Sequence, residues 1–433
     1  MNRLTLLIWG TVVGLATCVA GENLPYPTYS TFNELMQGKD ARYVKVTRIS
    51  DPGTLDHPIY NGYFFYQAEQ FDPTGRYMLG LRVFAPARVV LPTDRGEIGY
   101  FDLKSGNKWT QIGETTAWNW QQGNQLQWRP HSDEILWNDR ADDGSHFITR
   151  IYNFRTGKRR ILPRPVYELS PDGKIALTHD FERMKHGGTD YVGIPDRFKD
   201  EYAPKETGIW KMDMDSGKAE LIVSLDKMSR VIYPQGPPKE GCLYVFREGW
   251  NPSGTRFIAF LKDPAHNLSK AYSIASDGSD IRFLYNEPSH HSWLDDEHIM
   301  DWGPHVPPGG SQTVPGYYVF QDDGTGKAKE QLWPSPYNGH NSFAGKPGSD
   351  WILSDTYAIN GFQYLFLYHR PTKLFVPLAK LKSTAGTGIY RVDLHPRFSP
   401  DGRTVSIDGT YDGLGRQMSI LDIGEILNHP PRR

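Results

Sequence analysis

The stretch Tyr390-Arg-Val-Asp-Leu-His395-Pro-Arg-Phe398-Ser-Pro-Asp-Gly402-Arg, followed by the alternating run Thr404-Val-Ser-Ile-Asp408, decides the fold. It joins a strand carrying polar and ring side chains to a tight turn and a second strand. Proline presets φ in such a turn, aspartate caps it, and glycine takes the positive φ. The stretch is therefore predicted to be one hairpin of a repeated structure.

Six relatives of this hairpin precede it in the chain. Each has an aromatic residue or Leu followed by a turn of the Pro-Asp-Gly type. The first, third, fourth and seventh units are clear, whereas the others are recognised from their position and from the residues that follow. The units are Phe71-Asp-Pro-Thr-Gly75, Trp128-Arg-Pro-His-Ser-Asp133, Leu169-Ser-Pro-Asp-Gly173, Trp250-Asn-Pro-Ser-Gly254, Trp293-Leu-Asp-Asp296, Phe343-Ala-Gly-Lys-Pro-Gly348 and Phe398-Ser-Pro-Asp-Gly402.

A second family of turns lies further on in several units. It reads Asp102-Leu-Lys-Ser-Gly106, Asn153-Phe-Arg-Thr-Gly157 and Asp213-Met-Asp-Ser-Gly217, each after an alternating segment. Each unit therefore holds two hairpins, or four short strands, and the units recur at roughly 40 to 80 residues, which is typical of propeller blades. We predict an all-β fold, a seven-bladed β-propeller that forms one domain over residues 21–433.

The first twenty residues predict export of the protein. A basic Arg3 precedes an apolar run from Leu4 to Ala20, the pattern of a secretory signal peptide cut before Gly21. A lipoprotein site at Cys18 is the alternative, although Thr is a poor match for the residue before it. No other apolar run approaches membrane-spanning length. We expect a secreted or periplasmic protein.

Composition excludes several classes of partner. A net charge of -2 with mixed signs leaves no electrostatic footprint for nucleic acid or a membrane surface. Once Cys18 is removed only Cys242 is left, so the fold must be held by its core, and we expect a monomer. The 13% of aromatic residues fits either sugar stacking or a large β core.

Equivalent positions of propeller blades converge near the mouth of the central channel. Three residues before each aromatic residue or Leu stand Ala68, Gln125, Val166, Arg247, His290, His340 and His395. Three converging imidazoles suit a divalent metal such as Mn, Zn, Ni or Fe. Asp393 lies two residues from His395, on the same strand face, and is the natural extra ligand or hydrogen-bonding partner of a ligand. The alternative is a channel in which these His residues bond one another and water.

Further polar and aromatic residues are candidates for substrate contact. Arg247 keeps its charge and can hold a carboxylate, unless Glu248 or Asp393 neutralises it. His291 follows His290 and points to the other face of a regular strand. The remaining candidates for an Arg- and ring-rich face suited to an anionic sugar are Trp118, Trp120, Gln122, Arg140, Arg164, Tyr167, Arg183 and Tyr191.

The repeated Ser-Pro-Asp-Gly turn resembles that of the TolB-like propellers. More narrowly, the chain is similar to the secreted oligogalacturonate-lyase-like branch of polysaccharide lyases, in which a paired-His strand runs into Phe and a Pro-Asp-Gly turn. Here that strand reads Asp393-Leu-His395-Pro-Arg-Phe398-Ser-Pro-Asp-Gly402. His395 matches the second His, Asp393 replaces the first, and Tyr390 lies near the family's metal-binding Gln. The resemblance implies that His290 or His340 supplies the ligands from earlier blades.

The activity implied by the resemblance is β-elimination on a uronate-containing glycan. A metal, with Mn the first choice, or an Arg neutralises the carboxylate, a base removes the C5 proton, and the bond at O4 breaks. Arg247 would hold the carboxylate or act as the base, as an Arg does in that family. His291, Tyr167 and Tyr191 are the other candidates for proton transfer.

Two other functions fit a propeller. A glycoside hydrolase normally needs a pair of carboxylates, and the positions in register supply none. A non-catalytic propeller that binds a glycan or a protein predicts a His cluster without metal, since a fold alone does not fix function.

Overall fold

Seven four-stranded antiparallel sheets follow one another along the chain. The structure is a computed structural model that describes residues 24–184, 189–343 and 348–432. The prediction of an all-β, seven-bladed propeller is confirmed. The predicted signal peptide, residues 1–20, lies outside the described residues.

The strands are short, and each blade takes four of them. The first half of the chain holds β1 (Thr47–Arg48), β2 (Tyr60–Gly62), β3 (Tyr77–Val83), β4 (Gly96–Asp102), β5 (Lys108–Thr115), β6 (Gln127–Trp128), β7 (Glu134–Arg140), β8 (Phe147–Asn153), β9 (Arg159–Leu162), β10 (Glu168–Leu169), β11 (Ile175–Thr178), β12 (Gly208–Asp213) and β13 (Ala219–Ser224). The second half holds β14 (Tyr244–Trp250), β15 (Arg256–Asp263), β16 (Leu268–Ala275), β17 (Ile281–Asn286), β18 (Ser292–Trp293), β19 (His298–His305), β20 (Val314–Gln321), β21 (Ala328–Pro334), β22 (Asn341–Phe343), β23 (Trp351–Asp355), β24 (Phe362–His369), β25 (Leu374–Lys382), β26 (Arg397–Phe398), β27 (Thr404–Gly409) and β28 (Gln417–Asp422).

Helices are few and short. The α-helices are α1 (Phe32–Gln37), α2 (Leu225–Ile232) and α3 (Gly424–Asn428), and the 3₁₀ helices are Phe181–Arg183, Pro264–His266 and Gly388–Tyr390. Within the described ranges, no helix has the length and apolar character needed to cross a membrane.

The Ser-Pro-Asp-Gly turns close the inner hairpins of the third and seventh units in the same way. In the third unit, the Ser170 hydroxyl donates to the Asp172 carboxylate at 2.7 Å, and the Gly173 N–H donates to the Ser170 carbonyl at 2.8 Å. Gly173 has φ +70°, and Gly402 of the seventh unit has φ +73°. These positions require glycine because other residues rarely adopt such a φ. In the sixth unit, residues 344–347 lie outside the described part.

The last blade combines the two ends of the described chain. The strand β1 pairs with β28 as the outermost strand of this blade, with Thr47 opposite Ile420 and Arg48 opposite Ser419. The inner three strands β26, β27 and β28 come from the C-terminal region. Pairing the first strand with the last closes the ring, which fixes the positions of the seven inner strands relative to one another.

A buried carboxylate joins the last blade to the first. Asp408 is fully buried and accepts hydrogen bonds from Arg397 at 3.0 Å and Arg416 at 3.0 Å. It also accepts from the backbone N–H of Tyr63 at 3.1 Å and of Phe64 at 2.9 Å. The segment after β2 is thereby held against β27, and this segment carries Tyr66 into the channel.

Replacing Asp408 by Asn is expected to destabilise the fold by about 3–5 kcal/mol, because two buried guanidinium groups lose their counter-charge. Urea unfolding measures the change. The matched control is Asp412→Asn, which removes a surface ion pair with Arg48 and is expected to cost about 1 kcal/mol or less. Equal losses in the two variants would show that Asp408 does not join the blades as described.

Candidate functional site

Four of the seven positions in register, Arg247, His290, His340 and His395, meet around the ring of Tyr66. His290, His340 and His395 each stand just before the inner strand of their blade, at the entrances to β18, β22 and β26. His395 has φ +44°, in the left-handed region, and Gln125 at the equivalent position has φ +56°. The chain therefore turns sharply at these residues before it enters the blade.

Three imidazoles form a contiguous buried cluster. The ring centroid of His340 lies 4.2 Å from that of His290 and 4.2 Å from that of His395. The exposed fraction of each side chain is at most 4%. Each imidazole comes from a different blade, so the closure of the ring is what brings them together.

Asp393 joins two of these imidazoles in a possible metal site. Ligand atoms of His340, Asp393 and His395 all lie within 4.8 Å of one another, and all three residues are buried. Arg391 donates from Nε to both carboxylate oxygens of Asp393, at 3.1 and 3.0 Å. The Nε2 atom of His395 lies 3.9 Å from the same carboxylate.

Carboxylates behind the cluster orient its members. The Nδ1 atom of His340 lies 3.1 and 3.2 Å from the two oxygens of Asp355, at the end of β23. This contact leaves Nε2 of His340 for another partner, the arrangement common in metal-binding histidines. Asp301 accepts from the backbone N–H of His290 at 2.6 Å, which fixes the strand entrance.

Burial keeps two of the three imidazoles neutral at neutral pH. Burial, followed by the nearby charge of His340, holds the pKa of His290 and of His395 well below the ordinary value. Burial also raises the pKa of Asp393, against the lowering effect of His340 and Arg391. A neutral imidazole has the lone pair that a metal needs, so these residues would not lose a proton on binding.

Tyr66 lies against all three imidazoles. Its ring centroid is 5.5 Å from that of His290, 5.3 Å from that of His340 and 6.2 Å from that of His395. It belongs to the segment that leaves the first blade after β2. The ring separates the cluster from the rest of the channel.

Arg247 is a buried cation beside the cluster. A β-bulge at Phe246 breaks the pairing of β14 with β15, and such bulges redirect neighbouring side chains. Arg247 is 7% exposed, donates from Nη1 to the Tyr66 hydroxyl at 3.1 Å, and has no partner for Nε among the described residues. Glu248 pairs instead with His179 at 3.1 Å, so within the described ranges no carboxylate neutralises Arg247.

The donor set fits a divalent metal. Two imidazoles and one carboxylate are the kind of protein ligands found in catalytic sites that keep positions open for substrate. The Nδ1 atom of His395 is buried and has no hydrogen-bond partner in the described part of the chain. A Lewis acid bound at this cluster, such as a metal ion, would accept the lone pair of this nitrogen.

An oligogalacturonate lyase in complex with manganese shares this fold. The two chains are 14% identical over 93% of this chain and 97% of that chain, with a TM-score of 0.60. An oligogalacturonate lyase from Vibrio parahaemolyticus is 13% identical over 93% and 98%, with a TM-score of 0.59. The β-propeller domain of the Trilobed protease from Pyrococcus furiosus is 12% identical over 90% and 96%, with a TM-score of 0.45.

The similarities to the two oligogalacturonate lyases confirm the predicted resemblance at the level of the fold. No protein-family model matches the sequence. No curated protein matches it either. At this identity the shared architecture carries no residue roles from one protein to the other.

The tryptophans predicted to contact substrate are packed into the protein. Trp118 is fully buried, and its indole N–H donates to the Asp94 carbonyl at 3.1 Å. Trp120 is 6% exposed and donates to the Arg88 carbonyl at 2.8 Å. Both rings brace the loop between β3 and β4, and neither presents a face to solvent for stacking on a sugar.

Two predicted arginines, Arg140 and Arg164, also have protein partners. Arg140 donates to the Pro92 carbonyl. Arg164 lies 3.5 Å from the Asp180 carboxylate, with its guanidinium 3.6 Å from the ring centroid of Trp210. The structure places these two side chains outside the His cluster, in contacts between loops and blades.

Arg183 and Tyr191 hold the long insertion together. Arg183 is 2% exposed and donates to the backbone carbonyls of Leu243, Phe198, Glu201 and Tyr202 at 2.7–3.0 Å. It also contacts Asp196 at 3.1 Å. The Tyr191 ring stacks on Phe181 at 4.5 Å, and its hydroxyl accepts from Asn138 at 3.1 Å.

The remaining predicted residues, His291, Tyr167 and Gln122, are buried. His291 faces the channel on the other side of Tyr66 from the cluster, beside Gln67. Burial and the charge of Arg247 lower its pKa to about 3. Tyr167 is fully buried against Phe65 and His179. Gln122 is 3% exposed, and its amide has no partner among the described residues.

Four residues of the site were not predicted from the sequence: Tyr66, Asp355, Tyr357 and Arg391. The Tyr357 hydroxyl lies 3.5 Å from Nε2 of His290, and the Arg391 guanidinium lies 5.0 Å from the Tyr357 ring. The aromatic run Tyr63-Phe-Phe-Tyr66 before the first unit could have indicated that Tyr66 belongs to the site. Asp355 is the last residue of β23 and Tyr357 follows it, and neither carries a repeat signature.

Proposed function

We propose that this protein is a polysaccharide or oligosaccharide lyase that cleaves a uronate-containing glycan by metal-assisted β-elimination. The observation that carries the proposal is an unneutralised buried guanidinium, Arg247, beside a His340–Asp393–His395 group. An unpaired buried charge is costly unless a ligand of opposite charge completes it. A uronate carboxylate is an anion that both features would bind. We expect the protein to act outside the cytoplasm, as its first twenty residues predict.

His340, His395 and Asp393 would hold the metal. Bound there, a divalent ion such as Mn²⁺ would supply Lewis-acid neutralisation of the carboxylate, which makes the C5 proton more acidic. Arg247 would bind the same carboxylate through its guanidinium fork and orient the sugar. Tyr66 keeps Arg247 in place through its hydroxyl.

We assign removal of the C5 proton to His290. It lies beside the ligand group rather than within it, and its imidazole is neutral because burial lowers its pKa. Burial raises the pKa of Tyr357, so this hydroxyl stays protonated near Nε2 of His290. Tyr357 would give its proton to the leaving O4 oxygen, which is a stronger base than a phenolate.

Further groups near Arg247 suit an acidic sugar. The Lys262 ammonium lies 4.2 Å from the ring centroid of Phe246, and the Arg247 guanidinium lies 5.2 Å from the same centroid. Burial and the charge of Arg247 lower the pKa of Lys262 to about 8. Gln125 stands in register with the cluster, is 2% exposed, and has an amide without a partner in the described ranges. Such amides can bond sugar hydroxyls.

The carboxylates around the cluster do not favour a hydrolase. Asp393 is bonded to Arg391, Asp355 to His340, and Asp301 to backbone N–H groups. A glycosidase needs one carboxyl group for acid catalysis and another for the nucleophile or base. These three carboxylates instead orient the imidazoles.

The test is ultraviolet absorbance of unsaturated uronate during incubation with oligogalacturonate, ulvan, glucuronan and rhamnose-glucuronate polymers. We expect absorbance to rise on at least one glycan, to stop with chelator and to return with Mn²⁺. No rise on any glycan would contradict the lyase assignment. A rise that chelator leaves unchanged would contradict the role of the metal.

A further inference from the structure

The channel opens into a second cavity on the side of Tyr66 opposite the His cluster. Its volume is about 710 Å³, and its outer mouth is ringed by the Pro-Asp-Gly turns. Tyr66, Gln67, Glu69, Glu168 and Asn341 are among the residues that line it. The cavity shares only the Tyr66 ring with the site of the proposed lyase reaction.

Two carboxylates in this cavity have no counter-ion among the described residues. Glu69 from the first blade is exposed to the channel, and Glu168 from the third is half-buried in the wall. Neither side chain forms an ion pair or a hydrogen bond with a described residue, whereas Arg129 and Arg397 in the same wall are paired with Glu134 and Asp408. Burial, followed by the charge of Glu69, raises the pKa of Glu168 well above its usual range.

The inner end of the cavity carries further unsatisfied acceptors. Asn341 is 1% exposed; its Nδ2 donates to Ser292 at 2.9 Å, but its Oδ1 accepts no bond from the described residues. The Oε1 atom of Gln67 is likewise unpaired. The unbonded indole N–H groups of Trp128 and Trp250 belong to the outer end, at the last residues of β6 and β14. The inner end thus has acceptors in excess of donors.

We propose that the inner end of this cavity binds a small organic cation, an ammonium or guanidinium group, between Glu69 and Glu168 and against the ring of Tyr66. An ammonium brings three donors and no acceptor, which matches the unpaired oxygens. Its single positive charge offsets that of Glu69 and favours the ionised form of Glu168, and the Tyr66 ring adds a cation–π contact. The site is separate from the proposed lyase site.

Calorimetric titration with spermidine at low ionic strength tests the proposal. We expect the wild type to bind, and Glu69→Gln and Glu168→Gln each to bind about tenfold more weakly or worse. Glu220→Gln, at an exposed position of strand β13, is the matched control and should bind like the wild type. Butane-1,4-diol, which lacks the charge, should not bind.

The proposal is overturned if neither spermidine nor arginine amide binds, or if both glutamate variants bind spermidine as the wild type does. Loss of lyase activity in His340→Ala has no bearing on this result. A failure of the proposed cation site and a failure of the proposed lyase site therefore give different results.

The pH dependence of stability gives an independent readout of Glu168. Its raised pKa means that the folded state holds the proton more tightly than the unfolded state, so wild-type stability falls as the pH rises above the ordinary glutamate pKa. Glu168→Gln should therefore melt above the wild type at pH 8, with a smaller difference at pH 5. A difference independent of pH would contradict the desolvated carboxyl group. The titratable groups facing Glu168 are Glu69, Glu248, Tyr63, Tyr66 and Tyr167.

Discussion

Replacement of Arg247 by Ala is expected to lower the rate of β-elimination by about 100-fold or more, while the melting temperature stays the same or rises. The rate falls because the uronate carboxylate loses its charged donor, a change of the size seen when one preorganised donor is removed. Stability is retained, because the variant removes a buried charge that no described carboxylate neutralises. Initial rates from ultraviolet absorbance and thermal melting measure the two effects.

The control for this variant is Arg230→Ala on helix α2. Arg230 forms a surface ion pair with Asp226, and its loss should leave the rate unchanged. Arg247→Lys should keep part of the activity, since it retains the charge without the fork. An Arg247→Ala enzyme with full activity would place the carboxylate elsewhere.

Replacement of His340 by Ala is expected to abolish both metal binding and activity. His340 is the central imidazole, 4.2 Å from each of its neighbours, and belongs to the His340–Asp393–His395 group. Asp355→Asn should weaken metal binding about 10- to 100-fold, because Asp355 orients His340. Metal analysis of the purified variants, followed by initial rates, measures both effects.

His290→Ala separates the two roles assigned within the cluster. If His290 is the proton acceptor and not a ligand, the His290→Ala variant will still bind the metal, but its kcat will be lower. If His290→Ala loses the metal as His340→Ala does, His290 is a ligand and the assignment of the base is wrong. If His340→Ala keeps both metal and activity, the site itself is misplaced.

The sequence predicted the blades because the turn chemistry is local. Serine, proline, aspartate and glycine specify the hairpin at Ser170–Gly173 and again at Ser399–Gly402 without help from distant residues. Closure of the ring by β1 was not predicted, since Thr47 and Arg48 are exposed and show no alternating pattern. Pairing of β1 with β28 depends on the tertiary fold.

Register along the chain also located the imidazoles, because equivalent positions in a propeller converge. Register along the chain does not predict which side chains contact one another between blades. The pairing of Glu248 with His179, which leaves Arg247 unneutralised, joins the third and fourth blades. Tyr66 enters the cluster on a segment whose start is hydrogen-bonded to Asp408 of another blade. The indoles of Trp118 and Trp120 could equally have faced sugar or core, and the structure places them in the core.

The most direct test of the central claim is a titration of metal-free protein with Mn²⁺, in which bound metal and β-elimination rate are measured on the same samples. If His340, Asp393 and His395 form the catalytic metal site, the rate will rise in proportion to occupancy and level off at one metal per chain. Full activity in the metal-free protein, or complete loading without any gain in rate, would contradict the account.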